Sequence, residues 1–374
     1  MKEIRYALRR FAKWGMIHLI LAPYYKLCCL RPVQPGLAVL ADGHQDTIPY
    51  SMTVISERLK QKSGLQVVEY YHDYSFCGAA RGLGIMLRFI PLYARAQFVF
   101  ICDYFVPTAC GKRKGTTLIQ LWHSGGLMKK LGLDSPEDSK GFLPSMYAYT
   151  DVFTASSALV SDVLSGAIGL PRERFSQAGV TRMDLLYDAE RTREIRLRFE
   201  AAHPELVGKK LILWTPTFRG NVQDAYLIGA EEILRLQKEL PADYAVLIKT
   251  HRFANRPELN SVPDFSSDEL LTLADAMITD YSSIYFDYLY YRKPIILFAP
   301  DLEDYDRSRG LYIDYRQVPG CLAMDYGQLY RAVTEMDVWA DEDYRRRLDA
   351  LWEEQMDYCD GHSCEKLMRQ LGLD

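Results

Sequence analysis

The sequence predicts an α/β protein built from two Rossmann-like halves in tandem. Three observations carry this expectation. Short apolar, β-branched runs alternate with helix-like stretches, the order that builds a doubly wound parallel sheet. The pattern runs to about residue 122 and restarts at about Leu211. A chain of 374 residues suits two domains of about 150 residues each better than one core.

The first half opens after Pro32 and Pro35. GLAVLA (36–41) reads as a buried strand and DGHQDTIP as the loop after it. YSMTVISERLKQ reads as a helix, LQVVEYY (65–71) as a strand, and Leu83–Arg95 as a helix. FVFICDY (98–104) and TTLIQLW (116–122) are further strands. The second half reads as strand KLILWTP, helix from Ala230 to Leu240, strand YAVLIKTH, helix near 267–274, strand AMITD, helix from Ser282, and strand PIILFAP. Gly82 and Gly84 give only a GxG, too little for a dinucleotide site. The expected domains are an N-terminal segment (1–31), two Rossmann-like domains (32–185 and 186–345), and C-terminal helices (346–374) that cross back to the first domain.

Composition narrows the class. Hydrophobic residues make 48% and charged residues 25% of the chain, a globular balance that excludes long-range disorder and collagen. Net charge is 45 − 49 = −4, so no global basic field invites nucleic acid. Eight cysteines are scattered with no CxxC pair, which leaves zinc ribbons and a disulfide framework unsupported. Reduced thiols are the expectation. Twenty-six tyrosines suit an aromatic-lined cleft or a membrane-facing surface.

Residues 1–31 stand apart. Lys2, Arg5, Arg9, Arg10, Lys13, Lys26 and Arg31 against Glu3 give 7 − 1 = +6. Ile4, Ala7, Leu8, Phe11 and Trp14 follow helical spacing, with Arg5, Arg9 and Lys13 on another face. Pro23 and Lys26 break the later apolar stretch, which falls short of the roughly 20 clean residues of a spanning helix. A signal peptide is not expected, since no small-residue cleavage site follows. The segment reads as a helix on an anionic membrane surface, or else as a first helix packed on the fold with a solvated basic face.

Polar chemistry gathers at four strand ends. His123, with Ser124, Gly125 and Gly126, follows the fourth strand of the first half. It is either a base at the cleft or a structural His bonding the turn. Lys129 and Lys130 are placed to meet phosphate. Arg219 lies just past KLILWTP, where its fork suits a phosphate, unless it is a surface arginine. Lys249 and His251 lie two apart on one side of an extended strand end, facing one anion, although a buried structural His competes. Asp280 ends AMITD, and Ser282 and Ser283 open the next helix, which makes an anion site of N–H groups, hydroxyls and dipole. Arg307 and Arg309 read as loop residues that close over a phosphate or remain solvated. No carboxylate cluster has metal spacing, so neither a protein-bound metal nor a cofactor is expected.

WHSGGLMKKLGLD, WTPTFRGN, KTH, ITDYSSIYFDYLYYRKPIILFAPDLEDYDRSRGLYIDY and DGHSCEKL occur in this order. Together they resemble the CDP-glycerol glycerophosphotransferase family of teichoic acid biosynthesis, from about Gly36 to the C-terminus. The DYSS–FDY–RKPI block is the most specific part. The resemblance implies a GT-B fold, with two facing Rossmann-like domains and a cleft between them. It implies a peripheral protein on the cytoplasmic side of the cell membrane. The activity it implies is transfer of glycerol phosphate from CDP-glycerol to an undecaprenyl-diphosphate-linked glycan acceptor, with release of CMP. His123 and His251 would be the functional histidines, with Ser282 and Ser283 on the donor phosphates. Arg219, Lys249, Asp280 and Arg309 complete the expected donor side; Ser124, Gly125 and Lys129 form the acceptor side. Asp280 and Asp287 also order the turn and its helix.

Two departures stand out. The usual Gly-Thr-Pro after the first His is here Ser124-Gly125-Gly126, and the usual His-Pro is His251-Arg252. Phe218 keeps the aromatic residue before Arg219. The short chain favours a primase-like transferase over a large polymerase. CDP-ribitol is the alternative donor. A GT-B glycosyltransferase using a sugar nucleotide, and a binding protein without turnover, are the other readings. CMP release against UDP release separates the first pair, and donor binding without release marks the last.

Overall fold

The computed structural model describes residues 10–74, 77–136, 139, 146–220, 225–250, 254, 256–259 and 261–374. Two parallel sheets form. The first holds β1 (Leu37–Asp42), β2 (Gln66–Tyr71), β3 (Phe98–Ile101), β4 (Thr117–Gln120), β5 (Val152–Thr154) and β6 (Phe175–Ser176), in the order β2-β1-β3-β4-β5-β6. Val39 of β1 lies opposite Val68 of β2 and Val99 of β3. The second holds β7 (Lys210–Thr215), β8 (Tyr244–Ile248), β9 (Ala276–Thr279), β10 (Ile295–Phe298) and β11 (Cys321–Ala323), in the order β11-β10-β9-β7-β8. An all-parallel sheet is covered on both faces, so its central strands read as continuous apolar runs. β1, β3, β9 and β10 are buried along their whole length.

The chain divides into two compact units. The first holds residues up to Ser124, Leu131–Leu185 and Asp357–Asp374; the second holds Gly125–Lys130 and Leu186–Met356. In the first, Ile55 and Leu59 of helix Thr53–Lys60 pack on Ala38, Leu40, Phe100 and Ile119, and Leu367 of the C-terminal helix joins that core. In the second, Ile233 and Leu236 of helix Ala230–Glu239 pack on Ile212, Trp214, Val246 and Ile278. All eight cysteines are free thiols.

The sequence patterns match the four strands β1 to β4 and the strands β7 to β10, within one or two residues of their ends except for three at the ends of β3 and β8. They do not mark β5, β6 or β11. These strands are two or three residues long, too short to show a period. Helices Ala158–Ile168 and Ala189–Ala202 were also unmarked. The segment around Arg307 is not the loop expected but helix Leu302–Ser308, with Arg309 as its C-cap.

The N-terminal helix spans 10–28 and winds as a π-helix over Met16–Leu21. Ile17, Leu21 and Tyr25, four residues apart, are buried against the unit. Tyr25 stacks on Tyr93 at 4.9 Å, and its hydroxyl accepts a hydrogen bond from Arg113 N at 2.9 Å. Lys13 continues this inward row at the same spacing, and does not share an outward basic face as expected. Phe11, Trp14, Leu19, Leu27 and Leu30 are exposed. The rest of the anticipated stripe, Ile4, Arg5, Ala7, Leu8 and Arg9, lies outside the described residues. Among the described residues, no helix is long and apolar enough to cross a membrane.

One carboxylate of the first unit holds the start of the C-terminal helix Ser363–Gln370. Asp184 accepts hydrogen bonds from Ser363 N at 2.9 Å and Cys364 N at 2.8 Å, two of the N–H groups a helix start leaves unpaired. Replacing Asp184 by Ala is expected to cost about 1–2 kcal/mol, the range of a lost cap. Thermal melting should fall and proteolysis near residue 360 should accelerate. An unchanged melting temperature would show that side-chain packing alone seats the helix.

Candidate functional site

In the first unit, β1, β3 and β4 are neighbours, so their carboxyl ends emerge side by side. β1 ends on Asp42, whose carboxylate accepts hydrogen bonds from His44 N at 2.7 Å and Gln45 N at 3.1 Å. Cys102 Sγ donates to the same carboxylate at 3.6 Å. Burial alone would raise the Asp42 pKa; the hydrogen bonds from the His44 side chain and backbone outweigh it and hold it below the usual range. β3 leads to Asp103, and β4 leads to Trp122 and His123.

Trp122 adopts φ 56°, the left-handed region that a bulky residue avoids at a cost of about 1–3 kcal/mol. Its N–H donates to Gln120 Oε1 at 3.1 Å, and its ring lies 5.1 Å from Phe153. The strained turn sets the direction of His123. His123 Nδ1 lies 3.2 Å from the Cys102 carbonyl oxygen. A carbonyl only accepts, so Nδ1 carries the proton and Nε2 is the basic nitrogen. Asp103 Oδ2 lies 3.7 Å from the same Nδ1, placed to stabilise an imidazolium. Arg182 donates to the His123 carbonyl. The His123 side chain is 43% exposed, so Nε2 is within reach of a substrate.

The glycines after Ser124 admit protein side chains. A Cβ on Gly125 would stand 2.6 Å from Met356 Cε, and one on Gly126 2.2 Å from the Phe286 ring. Gly126 also has φ +54°, which favours glycine. Leu127 N donates to Gln355 Oε1 at 3.0 Å, which anchors the same turn. Lys129 pairs by its backbone with Leu311, and Lys130 N donates to Gly310 O at 2.9 Å. Arg309 Nε donates to Lys130 O at 3.2 Å. Lys129 and Arg309 therefore meet on one short bridge of the second unit.

The carboxyl ends of β7, β8, β9 and β10 also lie together. Arg219, past β7, is buried and fully engaged. Its Nε and Nη2 hold Asp301 bidentately at 2.8 and 3.0 Å, and its Nη1 meets Thr217 O at 2.6 Å and Asp280 Oδ2 at 3.0 Å. The guanidinium carbon lies 5.0 and 4.7 Å from the ring centroids of Tyr281 and Tyr305, which stack on each other at 3.8 Å. Burial would lower the Arg219 pKa; hydrogen bonding to Asp301 and the charge of Asp280 outweigh it and raise it. The fork foreseen for phosphate is thus occupied by two carboxylates of the chain itself. Asp280 is correspondingly a partner of Arg219, and its Oδ1 accepts from Thr217 N at 2.8 Å.

Ser282 and Ser283 are half-buried at the start of helix Ile284–Leu289. Ser283 makes no side-chain capping bond, and Ile284 N reaches Ser282 Oγ only at 3.5 Å. Capping therefore does not account for the pair. Asp287 is buried within that helix. Lys249 follows β8, half-buried, with Nζ 3.3 Å from Pro263 O; burial lowers its pKa. His251 lies outside the described residues. Among the described residues, no three His, Cys, Asp or Glu side chains group to hold a metal.

The sequence pattern missed Asp42, Asp103, Asp301 and Tyr305. Asp42 directly follows the marked run GLAVLA and Asp103 lies near the end of the marked run FVFICDY, and those positions were the available signal. Asp301 carried none, because its partner is 82 residues away.

CDP-Glycerol:Poly(glycerophosphate) glycerophosphotransferase is the family that matches residues 24–372. The chain belongs to this family. It is a transferase of phosphate-containing groups and acts in teichoic acid biosynthesis. The teichoic acid ribitol-phosphate primase of Bacillus spizizenii is 29% identical over 92% of each chain. The teichoic acid poly(ribitol-phosphate) polymerase of the same organism is 33% identical over 93% of this chain, which spans 58% of the polymerase. The wall teichoic acid polymerase TagF has the same fold, with a TM-score of 0.77 at 20% identity over 99% of this chain and 97% of that one.

For this glycerophosphotransferase-family chain, the buried cluster generates a prediction. Replacing Arg219 by Met should cost about 3–5 kcal/mol in urea unfolding, because Asp280 and Asp301 would stay buried without their cation. Retained stability with weakened CDP-alditol binding would instead make Arg219 a donor ligand.

Proposed function

We propose that the chain transfers glycerol phosphate from CDP-glycerol to a hydroxyl of a lipid-linked teichoic-acid-type acceptor, releasing CMP. The family match over residues 24–372 carries this reading. Ribitol phosphate from CDP-ribitol is the second reading, favoured by the identity to the ribitol-phosphate primase. In both, the fold is GT-B, the first unit serves the acceptor and the second the donor.

The chemistry is one displacement at phosphorus. His123 Nε2 takes the proton of the acceptor hydroxyl. The acceptor oxygen forms a bond to the β-phosphorus as the bond from that phosphorus to the bridging oxygen breaks, and CMP leaves with that oxygen. Ser282, Ser283 and Lys249 meet the donor phosphates, with His251 as the donor-side histidine. Arg219 and Asp280 hold the turn that carries the serines. Arg309, Lys129, Ser124 and Gly125 shape the neighbouring bridge and turn. No residue of this scheme requires a bound cofactor.

Incubation with CDP-glycerol or CDP-ribitol and a synthetic lipid-diphosphate disaccharide, read by CMP release and product mass, tests the reading. His123→Ala should lower single-turnover rate about 10²–10⁴-fold while donor Kd stays near native. Ser282→Ala/Ser283→Ala should weaken donor binding by about 1–3 kcal/mol, as for lost charge-assisted bonds. UDP release from a sugar nucleotide, with no CMP release, would replace the reading by glycosyl transfer.

The chain is also proposed to sit peripherally on the cytoplasmic face of the membrane. The exposed Phe11, Trp14, Leu19, Leu27 and Leu30 beside Arg10 and Lys26 support this. Replacing Leu19, Leu27 and Leu30 by Ser should release the chain from anionic vesicles without unfolding it, since none of the three is buried. Unchanged sedimentation with vesicles would refute the placement.

A further inference from the structure

Lys13 occupies a position where the helix otherwise buries apolar residues. Ile17, Leu21 and Tyr25 follow it at intervals of four and are buried. The Lys13 ammonium is half-buried, donates to the Tyr104 hydroxyl, and lies 4.4 Å from that ring's centroid. Among the described residues, no carboxylate stands within ion-pair distance of it. Burial alone lowers its pKa, with no acidic group raising it back. A desolvated cation facing only a phenol is an expensive arrangement, and an anion would relieve it.

Its neighbours indicate which anion. Tyr104 follows Asp103, whose carboxylate stands 3.7 Å from His123 Nδ1. Tyr104, Asp103 and His123 thus mark the carboxyl ends of the adjacent strands β3 and β4. On the outer side of the same helix turn, Phe11 and Trp14 are exposed and stack at 6.3 Å. The turn therefore offers a cation inward and an aromatic apolar face outward. That combination fits a ligand with an anionic phosphate and a hydrocarbon tail.

We propose that the Lys13 ammonium binds a phosphate of the acceptor's lipid-linked diphosphate while the lipid follows the outer face of helix 10–28. The inference rests on the phosphotransferase reading above. The helix then guides the acceptor hydroxyl toward His123 Nε2 as well as holding the membrane. An anionic lipid headgroup offers the same chemistry, so the test separates the two.

The full chain is compared with Lys13→Met and Lys13→Arg. One acceptor is a disaccharide on a short-chain lipid diphosphate; the other is the same disaccharide on a phosphate-free alkyl chain. Binding to phosphatidylglycerol vesicles is measured alongside. Lys13→Met should raise KM for the diphosphate acceptor by about tenfold more than for the phosphate-free one, the equivalent of one charge-assisted bond. Lys13→Arg should recover most of that loss, and the KM for donor should not move. Thermal stability should not fall, because an apolar chain of similar length replaces a desolvated charge. Equal KM changes on both acceptors would overturn the proposal. So would a defect confined to vesicle binding, which would make Lys13 a headgroup contact. If the unaltered chain released CMP from neither donor, the phosphotransferase reading would fall first; normal release with an indifferent Lys13→Met removes only this inference.

Discussion

In both sheets every strand pair is parallel, and parallel pairing constrains the rest of the molecule. Each strand must be followed by a crossover that returns the chain to the starting edge. All carboxyl ends therefore emerge together, and whatever residues follow the strands are collected there without further design. In the first unit this gathers Asp42, Asp103 and His123; in the second, Arg219, Lys249, Asp280 and Asp301. Residues separated by 60 or more positions, such as Thr217 and Asp280, become neighbours because the sheet places β7 beside β9.

That constraint explains what the sequence made legible. A strand buried on both faces writes itself as an unbroken apolar run, so β1, β3, β7 and β10 could be read directly, and the next polar residues could be named as site candidates. His123, Lys249 and Ser282 follow from that logic. β5, β6 and β11 escaped because their register is fixed by a neighbour and not by their own two or three residues. Helix Ala158–Ile168 did carry a signal, with Ser157 accepting from Val160 N and Gly169 at φ +67° as its stop. Those marks lay between strands too short to frame them.

Side-chain roles were less legible than positions. Arg219 past a strand end looks the same in sequence whether it awaits a phosphate or is already paired. Only the folded chain brings Asp301 to its fork. Gly125 was expected on the acceptor side, yet Met356 stands where its Cβ would lie, as Phe286 does at Gly126. In both cases the sequence identified a need, for an anion or for space, and the fold supplied it internally. The strained Trp122 is the opposite case. Nothing in its identity signals a positive φ, and the strain stands beside His123, whose Nδ1 faces the Cys102 carbonyl.

Two cations in this chain show how burial separates structure from function. Arg219 is deeply buried, yet two carboxylates, a carbonyl and two aromatic rings surround it. Its charge is neutralised within the second unit, so binding another anion would require breaking a bidentate pair. Lys13 is less buried, but among the described residues it meets a phenol and no carboxylate. No carboxylate among the described residues balances its charge. The lysine's compact ammonium, with three rotatable donors on a flexible stem, also tolerates an incoming partner better than a planar fork already locked in place. A strut needs its partners inside the fold; a binding group needs one partner missing. By that criterion Arg219, which the sequence offered as a phosphate ligand, has the surroundings of a strut, and Lys13 has those of the binding residue proposed above.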